Sequence, residues 1–360
     1  MTHRCNFYIA SDIEKLTRKR DGECKLGERI KMPLKSQIPT PGSESNYQSF
    51  LNDSDIRFVL LGIPEDIGVR ANYGRPGASS AWLPALESIL NIQHNDSLPS
   101  EKTTVMGCVR VDDLMEQSKG LGKTDQDIEK LRKLVEYVDA RVVETVEMIV
   151  QCGKIPIVIG GGHNNAYPLI KAVNEALRKC AKTSKQGINV INCDAHTDFR
   201  ALEGRHSGNG FSYAFAEGAL HKYAVLGIHE QYNLKTILDK FNANSDFLMY
   251  ESYEDIFIRE KVNFTGAIEK CIGFTREGYC GIELDLDAIT NIPASARTSC
   301  GISAVQARQF VHRCATELKP AYFHIAEGAP ILSHIKADNK TGKLIAYLVG
   351  DFLKAVYNKN

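Results

Sequence analysis

Asp194, His196 and Asp198 stand at alternating positions in "DAHTD", directly after the apolar run of Val190, Ile191, Asn192 and Cys193. Asp285 and Asp287 alternate in the same way in "ELDLD", and His163 closes "IGGGH". Residues at i and i+2 of an extended chain point to one side, so each acidic motif can aim its ionisable groups into one pocket. Four carboxylates meeting in a low-dielectric site repel one another, and raised pKa values would not readily neutralise all four. Bound cations resolve the conflict. Two divalent ions would balance Asp194, Asp198, Asp285 and Asp287, with His163 and His196 as neutral ligands. Oxygen-rich donors with two imidazoles suit Mn2+ best among common ions, while Fe2+, Co2+, Ni2+ and Zn2+ remain compatible. Two such ions, roughly 3.5 Å apart and bridged by hydroxide, are equipped for hydrolysis. Singly, a DxD at a strand end more often caps a helix or faces solvent, and a GGG turn is ordinary. It is their agreement in position that carries the reading.

That agreement requires strands that end at one edge of a sheet. Eight apolar runs of strand length cover 57–64, 103–111, 155–162, 188–196, 222–229, 246–252, 278–289 and 321–330, each followed by a polar turn and a segment of helical period. The pattern predicts an α/β fold in which helices cover both faces of a parallel sheet, a three-layer α/β/α arrangement. Ligands of such sheets bind beyond the carboxyl ends of the strands, which is where the three motifs fall.

Two helices follow from counting. Leu131, Leu134, Val135, Val138, Val142, Val146 and Ile149 form one apolar stripe between Ile128 and Val150. Ser303 and Gln306 have capping-box spacing, and Val305, Val311, Ala315 and Leu318 continue the helix they would start, with His312 on its surface. Residues 1–54 are polar, with Pro39, Pro41 and Gly42 as punctuation, and read as an N-terminal extension with one short helix. Its "KLTRKR" cluster reads as a solvated helix face. Residues 55–360, without internal repeat or linker, read as a single catalytic domain.

Composition narrows the partners. Lys+Arg and Asp+Glu both total 44, which gives no reason to expect nucleic acid or an anionic membrane, so small molecules are the default. No uncharged apolar run reaches the roughly 18 residues of a membrane span, and the N-terminus lacks a signal-peptide core. The expectation is a cytoplasmic protein. Ten cysteines lie between Cys5 and Cys314 without a CxxC pair and read as reduced thiols, mostly in the core.

The motifs resemble the ureohydrolase superfamily, which contains arginase, agmatinase, guanidinobutyrase and formimidoylglutamase. "GGGH", "DAHTD" and "DLD" match all six dimanganese ligands of that superfamily, and the resemblance runs from "LLGIPEDIGVRANYGRPGA" at 60–78 to "HIAEGAP" at 324–330. It implies an arginase-like fold on an eight-stranded, mostly parallel sheet and two Mn2+ per subunit. His163, Asp194, Asp198 and Asp285 would bind one ion; Asp194, His196, Asp285 and Asp287 would bind the other, with Asp194 and Asp285 bridging. The implied reaction is attack of a bridging hydroxide on a linear amidine or guanidine carbon. Glu327 would hydrogen-bond the amidine nitrogens, making Glu327, Asp194 and Asp285 the candidate catalytic residues. A homo-oligomer, trimeric or hexameric, follows by the same analogy.

Specificity residues also follow from the resemblance. Arginase carries a proton-moving histidine in an "SGNxHG" segment, where this chain reads "HSGNGFSYA" with Gly210 and Phe211 at that place. His206 could substitute, although an exposed loop histidine without a catalytic role is the simpler reading. Arg200, in "DAHTDFR", resembles formimidoylglutamase more than arginase. A guanidinium there could grip a carboxylate bidentately, and N-formimino-L-glutamate carries two. Ser207 and Asn209 lie in the loop that supplies polar substrate contacts; Arg70 and Arg75 could add charge at the mouth or be structural. The expected activity is hydrolysis of N-formimino-L-glutamate to L-glutamate and formamide. Arginase or another guanidino-compound ureohydrolase is the alternative, and a repurposed binding protein a second.

Overall fold

The computed structural model describes residues 4–39, 45–181, 187–333 and 339–359. Pro41 and Gly42 lie outside them.

All eight apolar runs become strands. They are β2 (Phe58–Gly62), β3 (Thr103–Val109), β4 (Ile155–Ile159), β5 (Ile188–Cys193), β6 (Leu220–Ile228), β7 (Leu248–Ser252), β8 (Tyr279–Asp285) and β9 (Lys319–Ala326). A ninth, β1 (Cys5–Phe7), comes from the segment expected as an extension, so the sheet has nine strands where eight were expected, in the order β1-β3-β2-β4-β9-β8-β5-β6-β7. Every pairing is parallel except β1 with β3, where Cys5 pairs with Val109 and Phe7 with Gly107. Gly107 makes that edge possible. Its φ is +123°, and a Cβ there would lie 2.0 Å from the Asn6 carbonyl oxygen. The same N-terminal segment holds two α-helices, Ala10–Leu16 and Ser45–Asp53, rather than one.

Strand residues alternate between two cores, as a sheet covered on both faces requires. Phe58, Leu60, Ile191, Cys193, Ile282 and Leu284 face one core, shared with the helices Trp82–Leu90, Phe264–Thr275, Ala304–Glu317 and Lys340–Tyr357. Val59, Leu61, Val190 and Tyr322 face the other, against the helices Asp125–Gln151 and Ala166–Lys179. The counted stripe is buried from Ile128 to Ile149, and Thr124 caps its helix by accepting the Asp127 N–H at 3.2 Å. Ser303 and Gln306 form the capping box, with Gln306 N–H donating to Ser303 Oγ at 3.2 Å and Ser303 N–H to Gln306 Oε1 at 2.8 Å. Val305 departs from expectation and is exposed, because it lies two turns before His312 on the solvent face of the helix, opposite buried Ala307, Phe310, Val311 and Cys314; His312 is exposed as expected. The ten cysteines are all free. Among the described residues no helix is long and apolar enough to cross a membrane.

Candidate metal centre

The turn after β4 needs glycine. Gly160 and Gly161 have φ of +90° and +77°, and a Cβ on Gly161 would lie 2.3 Å from Asn165 Nδ2. Glu65, fully buried, ties the turn down. Its Oε1 accepts hydrogen bonds from Gly162 N–H at 3.1 Å, Asn164 Nδ2 at 3.2 Å and Asn165 Nδ2 at 2.7 Å. His163 is thereby fixed at the foot of the helix Ala166–Lys179, over the ends of β5 and β8.

Asp194 follows β5. Its Oδ1 accepts the His196 N–H at 2.7 Å, and its Oδ2 accepts from Asn192 Nδ2 at 3.0 Å. Asp198 sits at φ +44°, a left-handed position that a non-glycine residue occupies at a cost. Asp285 ends β8, and its Oδ1 accepts the Asp287 N–H at 2.7 Å, which turns the chain and presents both carboxylates.

The six expected ligands meet. His163 Nδ1 is 3.1 Å from Asp194 Oδ2, 3.0 Å from Asp198 Oδ2 and 3.2 Å from Asp285 Oδ2. His196 Nδ1 is 3.4 Å from both Asp194 Oδ1 and Asp287 Oδ2. The donors fall into two groups that share Asp194, whose two oxygens face one histidine each. Asp285, expected in both groups, stands with His163.

Burial and like charge make the cluster a poor place for carboxylates alone. Burial, with Asp287 and Asp194 adding repulsion, pushes the Asp285 carboxyl well above its usual range. Burial and Asp194 push Asp198 up to about 6. Burial works against Asp194 too, yet His163 and His196 beside it hold its carboxyl low. His163 Nδ1 and Asp287 Oδ1 are buried without a hydrogen bond among the described residues. Buried polar atoms are rarely left so, and an imidazole nitrogen facing three carboxylate oxygens has the donor chemistry that a divalent cation completes.

The cluster opens on a cavity of about 390 Å3, lined also by Asn72, Arg200, Ser207, Tyr232, Ser295 and Glu327. Glu327 has a left-handed φ of 62°. Its Oε1 accepts the His163 N–H at 2.8 Å and its Oε2 accepts the Ser295 hydroxyl, and burial pushes its carboxyl up to about 8. It therefore caps a backbone group and faces the cavity at once. Arg200 donates to Asn72 Oδ1 at 3.1 Å and Glu203 Oε1 at 3.2 Å, and Asn72 Nδ2 donates to Ser207 Oγ at 3.3 Å.

Other expected residues are elsewhere. Asn209 does not line the cavity: it is fully buried, accepting from Arg205 Nη1 at 2.8 Å and His206 N–H at 3.1 Å and donating to Gly204 O at 2.8 Å and Ala201 O at 3.2 Å. It holds the loop together from beneath. His206 is not an exposed loop residue but fully buried, and both ring nitrogens are used locally, Nδ1 accepting the Gly208 N–H at 3.1 Å and Nε2 lying 3.1 Å from Glu203 Oε1. Arg70 is structural, donating to Ser118 O at 2.6 Å and Leu121 O at 3.0 Å. Arg75 is exposed and braces the Ser295 carbonyl at 3.2 Å. At the arginase histidine position there is no room. A Cβ on Gly210 would lie 2.9 Å from the His163 carbonyl oxygen, and buried Phe211 meets His163 edge-on at 5.2 Å and stacks on Tyr223 at 4.3 Å.

Sequence reasoning missed Glu283, Tyr322 and His324, all fully buried behind His163. The signal for Glu283 was present, since it continues the alternation of Asp287 and Asp285 one step back along β8. Asn72 and Tyr232, at the cavity wall, carried no motif.

Comparison with known proteins identifies the family and the fold. The Arginase family profile matches residues 56–354. A formimidoylglutamase of Streptococcus pyogenes serotype M3 is 28% identical over 312 residues, covering 83% of this chain and 86% of its own. Among solved structures, a Trypanosoma cruzi formiminoglutamase with Mn2+ superposes with TM-score 0.68 at 17% identity, covering 94% of this chain and 100% of its own. A Bacillus subtilis formimidoylglutamase superposes with TM-score 0.68 at 19% identity, covering 94% of each chain. Proclavaminate amidino hydrolase of Streptomyces clavuligerus, at 14% identity, covers 85% of this chain and 93% of its own with TM-score 0.63. These structures share the nine-stranded chain's fold, and the profile covers the whole stretch from β2 to the last helix: the chain belongs to the arginase family.

Proposed function

We propose that this protein is a binuclear manganese hydrolase that cleaves the amidine C–N bond of N-formimino-L-glutamate, giving L-glutamate and formamide. The observation that carries the reading is that Arg200 and Glu327 share one cavity with His196, Asp198, Asp285 and Asp287. His163, Asp194, Asp198 and Asp285 would hold one ion and Asp194, His196 and Asp287 the other, with Asp285 as the further bridge. When bound, the ions would supply an acidified water as the nucleophile and positive charge beside its oxygen.

The chain's own residues do the rest. Glu327, fixed by the His163 N–H and the Ser295 hydroxyl, would accept hydrogen bonds from the amidine N–H groups and aim the carbon at the metal centre. Arg200, steadied by Asn72, would pair with a substrate carboxylate, and Ser207 stands beside it as a polar contact. A cationic tail such as that of agmatine would meet the guanidinium and be repelled. We place the chemistry within residues 55–360, in a cytoplasmic homo-oligomer.

The test is a product assay on Mn2+-loaded protein against N-formimino-L-glutamate, L-arginine, agmatine and 4-guanidinobutyrate. Formamide from the first alone is the expected result. Urea from any of the others would overturn the substrate assignment, and metal-loaded protein inert on all four would point to a binding protein.

A further inference from the structure

His163 presents Nδ1 to three carboxylates, so its other ring nitrogen, Nε2, carries the proton whenever Nδ1 binds a cation. That nitrogen is buried without a hydrogen bond among the described residues. The group facing it is Glu283, whose Oε2 is 3.4 Å away, so a tilt of a few tenths of an ångström brings the pair to hydrogen-bond distance. Glu283 is itself held from behind. Tyr322 donates its hydroxyl to Oε1 at 2.6 Å, and His324 Nδ1 lies 2.6 Å from Oε2. All four side chains are fully buried.

The sheet is shaped for this arrangement. Glu283 shares a face of β8 with Gly281 and Asp285, while Ile282 and Leu284 face the opposite core. Gly281 pairs with Tyr322 across β8 and β9, and a Cβ there would lie 2.4 Å from the Tyr322 ring. The missing side chain is the space into which that ring lies over Glu283. His163, Glu283 and His324 have the composition of a third cation site, but both Glu283 oxygens already take hydrogen bonds from Tyr322 and His324.

We infer that Glu283, braced by Tyr322 and His324, is a positioning residue that fixes the ring orientation and tautomer of His163 and thereby sets the affinity of one of the two metal ions. A carboxylate behind a ligating imidazole makes the nitrogen facing the ion a better donor and holds the ring at the correct angle. The inference rests on the proposed role of His163 as a metal ligand. It goes beyond the six ligands by assigning a function to the buried charges behind them.

The experiment measures Mn2+ binding by calorimetry and by electron paramagnetic resonance on the full chain, as wild type, Glu283→Gln, Glu283→Leu and Tyr322→Phe. Wild type should bind two ions and give the spectrum of a coupled pair. Glu283→Gln keeps an acceptor but loses the charge, and should weaken one ion by about 10-fold; Glu283→Leu should weaken the same ion by about 100-fold. The coupled spectrum should give way to that of an isolated ion at limiting metal, with the other affinity unchanged. Tyr322→Phe should weaken the same ion by a smaller factor. Wild-type affinities and an intact coupled spectrum in the Glu283 variants would overturn the inference while leaving the functional reading in place. If those variants do not fold, unchanged binding in Tyr322→Phe would overturn it. A wild-type protein that takes up no pair of ions would remove the functional reading first, and this inference with it, before any variant is compared.

Discussion

Replacing His206 with asparagine should remove a pH dependence of stability that the fold builds into the loop after "DAHTD". The imidazole is fully buried, its Nδ1 accepts the Gly208 N–H, and its Nε2 faces Glu203 Oε1. A second proton would have to sit on Nδ1, pointing at another N–H. Burial holds the pKa of the ring down to about 4; Glu203 pulls the other way, and Arg200 and Arg132 add to the depression. Between that value and the ordinary 6.5 of an unfolded chain, the unfolded state binds the extra proton and the native state does not, so stability falls as the pH is lowered. From pH 7.5 to pH 5 this group alone should cost the native state about 2 kcal/mol, rising to about 3.4 kcal/mol at still lower pH. Asparagine offers Oδ1 to the Gly208 N–H and has no titration in that range. The assay is urea denaturation followed by the fluorescence of Trp82, the single tryptophan, at pH 7.5 and pH 5 for both proteins with chelator present, so that metal loss does not enter. The stability difference between wild type and variant should shift by about 2 kcal/mol in favour of the variant on acidification. A difference that stays constant across the two pH values would refute the reasoning.

Asp194→Asn keeps shape but lowers the charge of the residue shared by both donor groups, and should abolish binding of at least one Mn2+ by calorimetry; two ions bound at wild-type affinity would contradict the site assignment. Arg200→Ala should raise KM for a carboxylate substrate with metal content intact, because Arg200 touches Asn72 and Glu203 and none of the six ligands; loss of metal would instead make it structural. Arg205→Met should destabilise the protein by about 3–5 kcal/mol in urea denaturation. It strands buried Asp139, which Arg205 Nε meets at 2.9 Å, and frees the Asn164 carbonyl that Nη2 holds at 2.8 Å. A cost under about 1 kcal/mol, the size of an exposed pair, would refute that account.

The parts of this molecule that were legible in the sequence are those where one local pattern has one structural outcome. Strands covered on both faces are built mainly from apolar residues, and all eight such runs are strands. The alternation in "DAHTD" and "DLD" survives into the structure because an extended chain at a strand end has no other way to place i and i+2. Strand β1 was not legible: its three residues, Cys5 to Phe7, owe their place to Gly107, about a hundred residues away, whose missing side chain admits the Asn6 carbonyl. His206 and Asn209 were misread for a related reason. The "GRHSGNG" stretch is polar and glycine-rich, which locally describes an exposed loop, but Arg205 pulls it inward. That guanidinium pairs with Asp139 on the helix Asp125–Gln151 and lies over the rings of Tyr167 and Tyr213, 4.5 and 4.8 Å from their centroids. Nothing in the loop's own residues announces a partner on a distant helix.

That inward pull also ties the Ser207 side of the cavity to the His163 side. Arg205 holds the carbonyl of Asn164, the residue after the proposed ligand His163, and with another nitrogen holds Asn209, whose amide fixes the loop carrying Ser207. Glu327 makes the reciprocal link, since the carboxylate that faces the cavity also accepts the His163 N–H. The ring of His163 is thus approached from three sides by groups with separate tasks: the three carboxylates before Nδ1, Glu283 behind Nε2, and Glu327 at its backbone. A shift of His163 would move the clustered carboxylates, Glu327 and, through Asn164 and Arg205, the loop bearing Ser207 together. For a hydrolase this coupling has a physical use, because attack requires the carbon to be held about 3–3.5 Å from the activated water, and a misplacement of about 1 Å is costly in rate. Sites whose ligands and substrate contacts hang from independent loops would have to fix that distance twice.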